Sequence, residues 1–108
     1  MRLSPLGPDA FWFEHYLSQA YYLAGRYEDA VAWARVSDAH NSAITANLRC
    51  LIASLVALGQ LREAGQTGHR LLQLVPTFRL AGFRERTPLP GGVRDRFAER
   101  LKEAGLPE

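Results

Sequence analysis

Apolar residues recur three and four positions apart along most of the chain, which is the spacing of one helical face. Phe13, Tyr16, Leu17, Ala20, Tyr21 and Ala24 form the first such stripe. After Gly25 the pattern restarts with Ala30, Val31, Ala34 and Val36, predicting a second helix over 27–39 that packs on the first. Leu48, Leu51, Ile52, Leu55, Val56 and Leu58 make a third stripe ending at Gly59, and Leu61, Ala64, Leu71, Leu72 and Leu74 make a fourth. Pro76 stops that helix, because proline lacks a backbone donor and biases the residue before it away from helix.

Beyond Pro76, Thr77 is placed to cap a short helix reaching Arg86, a usual role for threonine. The run Thr87-Pro88-Leu89-Pro90-Gly91-Gly92 is too rich in breakers to continue it. A last helix is expected over 93–104, with Phe97 and Leu101 four apart and Gly105 at its C-terminal stop. The first ten residues hold Pro5, Gly7 and Pro8 and read as an irregular lead-in, with Asp9 an N-cap candidate. Little or no β-structure is expected.

Two of the turns are related. The segment Ala24-Gly25-Arg26-Tyr27-Glu28-Asp29-Ala30 aligns with Leu58-Gly59-Gln60-Leu61-Arg62-Glu63-Ala64, pairing Gly25 with Gly59 and Ala30 with Ala64 at an offset of 34. A glycine at the turn supplies the positive φ that reverses the chain, and a small residue five positions on allows close helix packing. Gly65 and Gly68 are poor helix formers that permit close approach of another element. The expected architecture is all-α: a lead-in over 1–10, two helical-hairpin units over 11–44 and 45–76, and capping helices over 77–108.

An offset of 34 residues is the tetratricopeptide period, and the chain resembles that family across roughly 11–76 through Gly25, Tyr27, Ala30, Gly59, Ala64 and Pro76. Glu14 stands where the family favours a large aromatic, Ser37 where alanine is usual and Gly68 where an aromatic is common, and no proline closes the first unit near Ser42. A narrower resemblance rests on Arg2-Leu3-Ser4-Pro5-Leu6-Gly7-Pro8, Ala24-Gly25-Arg26-Tyr27-Glu28 and Ala104-Gly105-Leu106-Pro107-Glu108. These are similar to the C-terminal repeats of bacterial multidomain signalling proteins, which follow a class III adenylate or guanylate cyclase domain or a winged-helix DNA-binding domain. The resemblance implies a protein-interaction or oligomerisation module, or a regulatory region of a cyclase or of a transcriptional regulator. It also implies that the lead-in is the end of an earlier repeat.

Composition narrows the field further. The 108 residues are 47% apolar and 22% charged, ordinary values for one globular domain. The net charge of +2 comes with acidic residues interleaved among the arginines, so no basic stripe marks a nucleic-acid surface. The alternation of Arg79, Arg84, Arg86, Arg94, Arg96 and Arg100 with Glu85, Asp95, Glu99 and Glu103 reads as a solvated helical surface. Cys50 has no cysteine to pair with and sits in an apolar stretch, as a core thiol in a reducing cytoplasm does. No run approaches the roughly 18 apolar residues that span a bilayer, so no membrane anchor is expected.

Catalytic, cofactor and metal chemistry find no pattern. His15, His40 and His69 are scattered relative to Cys50, without the close pairs of zinc sites; they read respectively as a groove residue, a loop residue and a residue on an exposed helix face. Glu28, Asp29 and Glu63 fall in first turns, where negative charge meets the open amide end of a helix. Leu89-Pro90-Gly91-Gly92-Val93 lacks the Gly-Lys-Ser/Thr ending of a phosphate loop.

Interaction is the better reading. Trp12, His15, Gln19 and Tyr22 fall three or four apart on the first helix, and with Arg49, Ala53 and Val56 of the third they would line a concave groove for a protein or peptide partner. Phe11, Phe13 and Tyr16 concentrate aromatic surface at the open end of the stack, which predicts self-association, as in a homodimer.

Overall fold

A computed structural model describes residues 10–108. Among them are six helices and no strand: α1 (Ala10–Leu23), α2 (Tyr27–His40), α3 (Thr45–Ala57), α4 (Leu61–Leu74), α5 (Leu80–Arg86) and α6 (Gly91–Glu103). The expected Asp9 cap and the breakers of the lead-in lie outside the described residues, while Ala10 already belongs to α1.

Glycine ends three of these helices by one mechanism. Gly25, Gly59 and Gly105 have φ of 79°, 80° and 103°, a left-handed conformation that residues with a Cβ adopt only at a cost. After α1, the Gly25 amide donates to Tyr22 O at 3.0 Å and the Arg26 amide to Tyr21 O at 2.9 Å. After α3, the Gly59 amide donates to Val56 O and the Gln60 amide to Leu55 O, both at 2.9 Å. After α6, the Gly105 amide donates to Lys102 O at 2.9 Å and the Leu106 amide to Leu101 O at 3.2 Å. Each is the Schellman arrangement, which satisfies carbonyls a helix end would otherwise leave open.

The helices pack in chain order, α1 on α2, α2 on α3 and α3 on α4. Ala30 and Ala64 are fully buried, so both hairpins close over a small side chain. The core is built from α3, whose Leu48, Leu51, Ile52 and Leu55 are buried together with Leu71 of α4. Cys50 lies in that core, where burial raises its pKa above the ordinary 9.0 and the thiol stays protonated. Two ion pairs cross from α2 to α4, Arg35–Glu63 at 2.7 Å and Asp38–Arg70 at 2.8 Å.

The chain then folds back on itself. α6 packs on α3 as well as on α5, and the radius of gyration of 13.2 Å is that of a compact domain of this length, about 13 Å for 100 residues. Residues 104–108 act as a clip. Leu106 is buried and lies against Gly68, where an added Cβ would meet its Cδ2 at 3.6 Å. The amides of Leu80 and Ala81 donate to the carbonyls of Pro107 and Glu108 at 2.9 and 3.0 Å, and the Glu108 carboxylate bridges Arg84 at 3.0 Å and Lys102 at 3.2 Å.

This clip displaces the expected cap. α5 begins at Leu80 after Arg79, and Thr77 does not cap it, because the chain's last carbonyls already occupy the first-turn amides. α6 also begins earlier than the expected 93, at Gly91 after Pro90. Proline's fixed φ, here −61°, suits a residue entering a helix.

Candidate interaction surface

The first helix is turned inside out relative to its apolar pattern. Its buried residues are Glu14, His15, Ser18 and Tyr22, whereas Phe13 is 45% exposed, Tyr16 60% and Leu23 53%. Of the stripe expected to pack inward, Phe13, Tyr16, Ala20 and Ala24 face out, and Leu17 and Tyr21 are half-buried.

Partners on α2 and α3 explain the inversion, since buried polar groups are tolerated when each finds a hydrogen bond. Ser18 Oγ donates to Ala30 O at 2.7 Å and lies 3.3 Å from Cys50 Sγ. His15 Nδ1 is 3.2 Å from Asn47 Oδ1, and Asn47 Nδ2 donates to Ala34 O at 2.8 Å. Glu14 Oε1 is 2.7 Å from His40 Nδ1, and Ser37 Oγ donates to Phe11 O at 2.7 Å. Among the described residues no buried side-chain nitrogen or oxygen lacks a partner. Glu14 and Ser37, two departures from the tetratricopeptide pattern, are therefore both members of this polar seam.

The seam corrects the reading of two histidines. His15 is buried and does not line a groove; burial lowers its pKa below 6.5, outweighing the Asn47 hydrogen bond. His40 is the last residue of α2, paired with Glu14, and not a loop residue. His69 is exposed on α4, as expected.

The seven-residue groove is not formed as one open surface. Tyr22, Ala53 and Val56 are buried in the core, because α6 occupies the space above α3. Phe97 of α6 packs edge-on against the Tyr22 ring at 5.2 Å. Arg100 donates to the hydroxyls of Tyr22 at 2.9 Å and Tyr27 at 3.2 Å. Gln19 is half-buried. Arg49 is also half-buried, its guanidinium 5.5 Å from the centre of the Phe83 ring. Only Trp12 of the seven remains exposed, at 39%.

Among the described residues, the outer face of α1 is exposed. Trp12 stacks on Tyr16 at 6.1 Å and tilts against Phe11 at 5.4 Å, which joins Phe11, Trp12 and Tyr16 in one aromatic patch; Phe13, the third residue expected to self-associate, is exposed on the same helix. Ala20 and Leu23 extend it along the helix. The one formally charged residue of α1, Glu14, points into the seam, so α1 itself contributes no charge to this face. Periodicity alone marks these residues as core; the signal that they lie outside is the run of polar residues between them, each with a complementary group on α2 or α3.

Among the described residues no three histidine, cysteine or acidic side chains are grouped to hold a metal, and no helix is long and apolar enough to cross a membrane. Compared with family models, curated proteins and solved structures, the chain gives no significant match.

Proposed function

We propose that this chain is a tetratricopeptide-like protein-interaction module whose docking surface is the outer face of α1. The observation that carries the reading is the set of aromatic residues Trp12, Phe13 and Tyr16, exposed on a helix whose Glu14, His15 and Ser18 are buried. The two glycine turns at the 34-residue offset, closed by equivalent hydrogen bonds, support the kinship with helical-hairpin repeats. In such stacks each hairpin covers the apolar face of its neighbour, and the outer face of α1 is where a further hairpin would pack.

The occupant we assign is a second copy of the chain. With no charge from α1, the face meets its own image without like-charge repulsion between the two helices, and apolar helical faces of this kind commonly seek a partner. The resemblance of Arg2–Pro8 and Ala104–Glu108 to repeats of bacterial signalling proteins supports a role for the module in joining subunits of such a protein.

Sedimentation at several concentrations tests this. Reversible association is expected in the wild type, and Phe13→Glu is expected to shift it toward monomer with helicity unchanged, since the Phe13 side chain faces outward. A wild-type chain that stays monomeric at about 100 μM, where interfaces of micromolar affinity are occupied, overturns the reading.

A further inference from the structure

Apart from the α1 patch, and sharing no residue with it, α3, the α4–α5 connection, α5 and the turn after α5 line an open cavity of about 250 Å³. Arg49 and Arg86 line it together with Thr45, Thr87, Phe78 and Phe83. Among the described residues, no acidic side chain contributes to its wall. Neither arginine forms an ion pair among the described residues, although Arg26, Arg35, Arg70, Arg84 and Arg94 each do.

Two guanidiniums facing one space repel, and folding has placed both there uncompensated. Burial lowers the pKa of Arg49 below its ordinary value, and the charge of Arg86 lowers it further. Arginine nevertheless stays charged at neutral pH, so the half-buried Arg49 and the exposed Arg86 present two positive charges at one cavity. Arg86 folds back over Gly82, where an added Cβ would meet its guanidinium nitrogens at 3.1 Å. Arg49 is fixed on the Phe83 ring. Two arginines at one cavity offer the paired N–H donors through which guanidinium groups recognise oxyanions. The two phenylalanines give the same cavity an apolar wall and the threonine hydroxyls add donors.

We infer that this cavity binds a small organic oxyanion, a carboxylate or phosphate monoester attached to an apolar group. Arg49 and Arg86 hold the oxyanion, and Phe78 and Phe83 cover the apolar part. The site is separate from the α1 face, and its occupancy is independent of self-association.

Benzoate and phenyl phosphate are the probes, with benzamide as the neutral analogue, titrated at constant ionic strength and followed through backbone amides and the Arg49 and Arg86 side-chain Nε signals. Saturable shifts around Thr45, Arg49 and Thr87 are expected, with half-saturation near or below about 1 mM and benzamide binding at least about tenfold more weakly. The tighter of the two anions identifies the oxyanion class. Arg86→Gln, at an exposed position that folding tolerates, is expected to weaken both anions about tenfold or more, and Arg49→Gln to do likewise. Equal binding of benzamide, unchanged affinity in Arg86→Gln, or no saturable shift with either anion overturns the inference.

Discussion

Gly25 and Gly68 are both glycines beside a helix contact, yet they serve unlike ends. Gly25 has φ 79°, and nothing lies within 4 Å of the place a Cβ would take, so any cost of replacing it is conformational. Gly68 is helical, and its Cβ would meet Leu106 at 3.6 Å and Ala104 O at 3.7 Å, ordinary van der Waals distances. Gly25→Ala is therefore expected to lower stability by about 1–2 kcal/mol, the cost of a left-handed residue with a Cβ. Gly68→Ala is expected to raise stability by up to about 1 kcal/mol, because alanine is the better helix former. Urea denaturation of both variants decides the matter, and a Gly68→Ala chain less stable than wild type shows that Leu106 cannot give by even that much. Gly25, Gly59 and Gly105 are legible in the sequence as turns because positive φ narrows the choice of residue so sharply. The openness of Gly68 to a methyl group is not, since it depends on a contact with residues 36 and 38 positions away.

At the level of the helix, legibility follows from how local the deciding interaction is. The extents of α2, α3 and α4 agree with their apolar periodicity within about three residues, because most of each stripe is buried or half-buried, with Val36, Leu61 and Leu74 the exposed members. The face of α1 does not follow from its stripe. Its orientation is set by Glu14, His15 and Ser18 reaching His40, Asn47 and Ala30, and a periodicity count credits only apolar residues. The start of α5 is equally hidden, because its amide acceptors are Pro107 and Glu108, more than twenty-five residues onward. This dependence gives a test of the C-terminal clip. Leu106→Ala removes the buried side chain that anchors the clip on α4, at a cost of about 2–5 kcal/mol for a core leucine. The amides of Leu80 and Ala81 are expected to lose protection from hydrogen exchange more than those of α3. Unchanged protection at these two amides, with the global stability lowered, shows that the tail holds α5 without depending on Leu106.

On the scale of the molecule, α6 decides what is buried over α3. By filling the space over α3 it takes the place of any groove at Tyr22, Ala53 and Val56. That substitution cannot be read from either hairpin alone, since the ties are between Tyr22 and Phe97 and between Tyr22 and Arg100, more than seventy residues apart. Such distant ties join the first helix to the last, and small single domains of this kind generally unfold as one unit. Phe97 is central, lying 5.2 Å from the Tyr22 ring and 5.5 Å from that of Phe83, so it touches α1 and α5 at once. Phe97→Ala is expected to cost about 3–5 kcal/mol, a large share of the roughly 5–15 kcal/mol that usually holds a domain together. If the chain is one cooperative unit, hydrogen-exchange protection in this variant falls by a similar factor in α1, α3 and α6. Loss confined to α5 and α6, with α1 to α4 still protected, instead shows the two hairpins to be stable by themselves and α6 to be a detachable cover over Tyr22 and Val56.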